Sequence, residues 1–150
     1  MTEKNSSILS PEYLNFKNEI TARIRSAQYE ALKAVYWEVG KRITEQQTAL
    51  GWGKSVVENL SRDIQKEFPG IKGFSARNIW DMARFYAEYQ SDEILRTLLA
   101  EISWSKHIVI LTKCKETQQR QFYILATKKY GWTNNVLLNK IEAKTYENYL

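Results

Sequence analysis

From Glu12 to Ala49 the chain contains no proline, and a single glycine, Gly40, interrupts an otherwise helix-forming run. Phe16, Ile20, Ile24, Ala27, Ala31, Val35, Val39 and Ile43 recur every three or four residues along it. That spacing places them on one face of an α-helix with 3.6 residues per turn. A straight helix over this run would extend roughly 57 Å, longer than a domain of this size is wide. The expectation is therefore a bend near Gly40, or a stripe that packs on another chain. With only 6 Gly and 2 Pro in 150 residues, there is too little turn chemistry for a many-stranded sheet. The reading is all-α: a multi-helix domain with a long N-terminal helix, residues 1–10 being a flexible leader and residues 11–150 a single helical domain.

Helix boundaries follow from caps. Ser10 before Pro11 is an N-cap ahead of a favoured first position. Leu50-Gly51-Trp52-Gly53 stops the first run, and Ser55 is the candidate cap of the next, through Phe68. Pro69 to Phe74 reads as a turn whose glycines can take positive φ. Ser75 then caps a helix to about Gln90, with Phe74 placed to staple against Ile79 or Trp80. A short helix over Asp92–Glu101 follows, capped by Ser91. The run Ile108-Val109-Ile110-Leu111 suits a strand or a helix locally and is read as helix for want of a partner strand. Thr117 and Thr133 cap the last two helices, and Gly131 is the expected C-terminal residue of the first of these.

Composition removes several function classes. His107 stands alone beside an apolar run, which describes a packed or surface histidine better than a catalyst. Cys114 is the single cysteine, so neither a disulfide framework nor a cysteine metal site forms within one chain. Glu58, Asp63 and Glu67 recur at helical spacing, but Arg62 and Lys66 lie among them, as in surface ion pairing. Gly51-x-Gly53-Lys54-Ser55 is too short for a Walker loop. No cofactor is expected in this chain, and no apolar run is long enough to span a membrane. A reducing cytoplasm fits a lone thiol and a start that lacks signal-peptide order.

Charge points to polyanions. Residues 104–150 carry eight Lys/Arg against three Asp/Glu, so the whole net charge of +5 lies in the last third. Such a face attracts phosphates, or is simply a solvated helical surface. In the cluster Lys113, Lys115, Arg120, Lys128 and Lys129, no interleaved aromatic face of a single-strand binder is evident. The five tryptophans read as core anchors. Residues 56–90 have the order helix, tight turn, capped helix, which is that of a helix-turn-helix unit. In that reading Arg77, Asn78, Asp81 and Arg84 face a DNA groove, where Arg suits guanine and Asn adenine. Lys54 and Lys72 touch phosphates, and the helix start at Ser75 favours an anion. Against this, Arg77–Asp81 and Arg84–Glu88 are spaced to neutralise each other, and the turn is longer than the usual three or four residues.

Val35-Tyr-Trp-Glu-Val-Gly-Lys-Arg-Ile through Gly51-Trp52-Gly53 is followed by Phe68-Pro69-Gly70 and Gly73-Phe-Ser-Ala-Arg-Asn-Ile79. Ser103-Trp104-Ser105, Gln121-Phe-Tyr123 and Tyr130-Gly131-Trp132 come later. This series resembles the N-terminal domain of the bacterial YhcG family over about residues 15–145. The resemblance implies a helical, helix-turn-helix-like domain. It also implies a following nuclease domain of the PD-(D/E)xK superfamily, which would hold the magnesium-binding residues. Nothing in these 150 residues matches that nuclease motif, so the family's catalytic residues transfer to no position here, and the chain reads as a fragment or excised domain. The functional expectation is a DNA-binding module of a nuclease protein. The alternative is a protein-interaction or homodimerisation module built on the long first helix.

Overall fold

The computed structural model describes residues 10–27 and 32–149; residues 1–9 of the expected leader, residues 1–10, lie outside them. All regular structure among the described residues is helical. The helices are α1 (Pro11–Ser26), α2 (Leu32–Leu50), α3 (Lys54–Glu67), α4 (Ala76–Tyr89), α5 (Glu93–Thr97), α6 (Trp104–Lys113), α7 (Thr117–Tyr130), α8 (Asn134–Glu142) and α9 (Thr145–Tyr149), with a 3-10 turn at Leu99–Glu101. The chain divides into two compact units, residues 1–88 and 89–150.

The first unit overturns the expectation of one long N-terminal helix. The helix ends at Ser26, because Ala27 adopts an extended conformation (φ −81°, ψ 138°). Gly40 is not the bend; it lies inside the continuous α2. The physical reason is burial. In a single straight rod much of the apolar stripe would remain in water. With the rod cut in two, α1 and α2 pack on each other. Phe16, Ile20, Ile24, Val35, Val39 and Ile43 all become buried. Each such side chain contributes about 1.5–3 kcal/mol, more than the few helical hydrogen bonds lost at the break.

Ser10 caps α1 as expected, its Oγ accepting from the Tyr13 N–H at 3.2 Å. Trp52, in the stop between α2 and α3, is buried against Phe16 (ring centroids 5.4 Å apart) and Tyr13 (6.2 Å, edge-on). The helix after it begins two residues earlier than expected: Gly53 is the N-cap and Ser55 lies within the first turn. Tyr13 is tied to α3, its hydroxyl donating to Asp63 at 2.7 Å and accepting from Asn59 Nδ2 at 3.0 Å. Burial, and then the bond to the Asp63 carboxylate, push the Tyr13 hydroxyl well above the usual tyrosine range.

In the second unit the ambiguous apolar run is helix, α6, with Ile110 and Leu111 fully buried. His107 is buried there too, its Nε2 2.8 Å from the Leu99 carbonyl oxygen. That nitrogen must carry the proton to make this bond, so the ring is a packing element of the α6 start. Asp92 rather than Ser91 caps α5, and Glu116 rather than Thr117 precedes α7. Thr133 caps α8 as expected, accepting from the Val136 N–H at 3.2 Å.

Cys114 is fully buried after α6. Burial, reinforced by Glu147, pushes its thiol up to about 11 against the pull of Arg120. The thiolate is the reactive form, and at pH 8 about one thiol in a thousand is ionised at such a value. An aromatic disulfide reagent at pH 8 should therefore label native Cys114 at least about 100-fold more slowly than the guanidinium-unfolded chain. Native and unfolded rates within tenfold of each other would contradict the burial.

Candidate nucleic-acid interface

The turn between α3 and α4 is built from the inside. Phe74 is fully buried and meets Tyr36 of α2 edge-on, with ring centroids 5.4 Å apart. Ser61 Oγ donates to the Phe74 carbonyl at 2.7 Å, and Gln65 Nε2 donates to the Ile71 carbonyl at 3.1 Å. The turn is thus laced back onto α3. Gly73 has φ +91°, and a Cβ there would lie 2.2 Å from the Tyr36 hydroxyl oxygen. Only glycine satisfies both the conformation and the space.

Helix α4 buries Ile79, Met82 and Phe85. It rests on α2 through a close backbone approach at Gly40 and through Thr44, whose Oγ1 donates to the Ala83 carbonyl at 3.3 Å. Residues 77, 81 and 84 lie on the opposite side. Arg77 is exposed, whereas Asp81 and Arg84 are half-buried.

The predicted site residues have different local roles. Ser75 caps α4, accepting from the Asn78 N–H at 3.1 Å. Asn78, expected to face adenine, turns its Nδ2 back to the Gly73 carbonyl at 2.6 Å, where it clamps the turn. Asp81 pairs with Arg84 at 3.4 Å, not with Arg77 as its spacing suggested. Lys54 is exposed and lies 3.8 Å from Glu58. Lys72 and Arg77 are exposed and make no ion pair among the described residues. Two cations without an ion-pair partner among the described residues therefore lie at the start of α4, where the positive end of the helix dipole favours an anion.

Lys113, Lys115, Lys128 and Lys129 belong to the second unit. Lys113 and Lys115 are exposed around the end of α6, and Lys128 pairs with Glu101. Arg120, grouped with these lysines in sequence, is not at the surface: it is 4% exposed and donates to the Leu111 and Cys114 carbonyls. Those carbonyls close α6 and lack acceptor bonds within it, which is what draws the guanidinium inward. An aromatic pair does stand beside one of these lysines. Lys129 lies over the ring of Tyr130, which stacks on Trp132. Spacing hid this, because Gly131 takes a left-handed conformation and brings the flanking rings together.

A polar cleft of about 430 Å³ between α1 and α3 was not legible in the sequence. It is lined by Lys17, Thr21, Arg25, Asp63, Lys66 and Glu67, residues about fifty positions apart at the extremes. Arg25 and Glu67 pair across it. No group of three or more His, Cys, Asp or Glu suited to a metal ion occurs among the described residues. None of their helices is long and apolar enough to cross a membrane.

The family model described as the DUF1016 N-terminal domain matches residues 17–148. The chain belongs to this family. It is 26% identical over 162 residues to the Escherichia coli (strain K12) protein named "Putative nuclease YhcG", covering 87% of this chain and 42% of that protein. The chain thus spans less than half the length of that relative. The resemblance carried by the tryptophan and glycine motifs is to this same N-terminal domain. No solved structure matches.

Proposed function

We propose that this chain is the DNA-binding, targeting module of a nuclease-type protein, with α3, the turn and α4 acting as a helix-turn-helix-like element. The observation that carries the reading is the exposure of Arg77 and Lys72, without ion-pair partners among the described residues, at the N-terminal end of α4. A guanidinium in that position suits the acceptor edge of guanine, and an ammonium in the preceding turn suits a phosphate. Asn78 and Ser75 serve the element by holding the turn, and the Asp81–Arg84 pair leaves Arg77 free of a carboxylate. Lys54, Lys113 and Lys115 add phosphate contacts of the sequence-independent kind. The Escherichia coli relative is named "Putative nuclease YhcG"; in this proposal the nuclease activity, with its magnesium, belongs to a region beyond these residues. The proposed location is the cytoplasm. The protein-interaction or homodimer reading rested on the excess length of one long helix and its continuous stripe; the helix ends at Ser26, and Phe16, Ile20, Ile24, Val35, Val39 and Ile43 of that stripe are buried within the first unit.

A gel-shift titration on duplex DNA at two salt concentrations tests the proposal. Arg77→Ala should weaken binding about fivefold or more, the loss expected when a guanidinium–base contact is removed. Lys72→Ala should weaken it less and flatten the salt dependence by about one phosphate contact. Duplex affinity unchanged within twofold in Arg77→Ala, with the helical signal intact, rules out α4 as the reading helix.

A further inference from the structure

The end of α7 displays two aromatic rings at the surface. Gly131 adopts φ 65°, ψ 36°, and the N–H groups of Gly131 and Trp132 both donate to the Thr127 carbonyl, at 2.9 and 3.2 Å. This double closure is the rigid helix stop that a left-handed glycine permits. It sets Tyr130 and Trp132 side by side, with centroids 5.7 Å apart and planes inclined by 21°, an offset stack. Tyr130 is 62% exposed, and Trp132 is half-buried. So much open aromatic surface adds little to folding, because the apolar gain comes only from area removed from water.

The charges beside the rings identify what would cover them. Lys129 Nζ lies 5.3 Å from the Tyr130 ring centroid, and Lys140 Nζ lies 5.7 Å from that of Trp132. Neither lysine has a carboxylate partner among the described residues. An aromatic cage for a cationic ligand would not be lined by two ammonium groups. A ligand with a flat π face and a nearby negative charge complements both features. Nucleotides in a single strand have that combination. In a duplex the base faces are already stacked, so a surface ring can meet only an unpaired base.

We infer that Tyr130 and Trp132 form a stacking platform for an unpaired base of a single-stranded nucleic acid, with Lys129 and Lys140 binding the adjoining phosphates. When a base takes the ring face, the lysine ammoniums move on their flexible stems to the strand and release its counterions. The exposed cation–ring contacts they leave are weaker than base stacking. This platform lies in the second unit and does not depend on the reading of α4.

The test is fluorescence anisotropy of labelled oligothymidylate and oligouridylate, each of about 20 nucleotides, beside a duplex of the same length. The protein should bind a single strand, and Tyr130→Ala should weaken that binding about fivefold or more. Tyr130→Phe keeps the ring and should bind within about twofold of the parent. Lys129→Ala with Lys140→Ala should reduce the salt dependence by about two phosphate contacts. The two strands distinguish DNA from RNA as the source, and Tyr130-dependent binding of either supports the platform. The inference is overturned if neither strand binds, or if a correctly folded Tyr130→Ala protein binds both as well as the parent. Arg77-dependent duplex binding without single-strand binding overturns the platform alone. Tyr130-dependent single-strand binding without duplex binding overturns the α4 reading alone.

Discussion

Gly40→Ala should destabilise the first unit by about 3 kcal/mol, the upper end of what forcing extra atoms into a packed core costs. The sign runs against local propensity, since alanine in a helix interior is better than glycine by about 1 kcal/mol. Tertiary geometry decides the outcome. A Cβ on residue 40 would lie 2.1 Å from the Met82 carbonyl oxygen and 2.5 Å from its carbon. These are backbone atoms of α4, so no rotamer change relieves the clash, and the two helices must move apart. The measurement is urea or thermal unfolding followed by helical circular dichroism, where the melting temperature should fall by roughly 10 °C. Because α4 carries Arg77, duplex binding should weaken in the same protein. A Gly40→Ala variant as stable as the parent would falsify the close approach of α2 to α4.

Arg120→Met should cost the second unit about 3 kcal/mol, from two buried carbonyls that lose their donors. Arg120 Nε donates to the Cys114 carbonyl at 2.9 Å and Nη2 to that of Leu111 at 3.3 Å. Its guanidinium also lies over the ring of Tyr89, at 5.2 Å. Methionine preserves much of the volume and removes the donors, so the loss reports the hydrogen bonds more than a cavity. Arg120→Lys should not restore the parent's stability, because an ammonium cannot reproduce the planar fork that spans two carbonyls. Denaturant unfolding of both variants gives the answer. If lysine restores full stability, or methionine costs less than about 1 kcal/mol, the fork is not what closes α6.

The candidate sites were legible to different depths. Arg77 and Lys72 could be named from their positions beside the capped start of α4. The role of Asn78 could not, because its side chain chose between a groove and the Gly73 carbonyl according to the path of the turn. Arg120 looked like one of five surface cations, and nothing in its neighbours announced two buried carbonyls. Tyr130 and Trp132 were visible as aromatic residues around a glycine. Their stacking required the left-handed value of φ at Gly131.

Helical class, the caps at Ser10, Ser75 and Thr133, and the stop at Gly131 were written in the order of residues. The backbone groups they satisfy lie within about four positions along the chain, and local chemistry settles such pairings. The fold alone decided the break at Ala27, a residue type that ordinarily favours helix. It also decided the need for glycine at position 40 and the withdrawal of Arg120 from solvent. The first two depend on helices brought together in space, and the third on the turn from α6 to α7, which carries the Leu111 and Cys114 carbonyls within reach of the guanidinium; in each, burial and steric exclusion outweigh local preference.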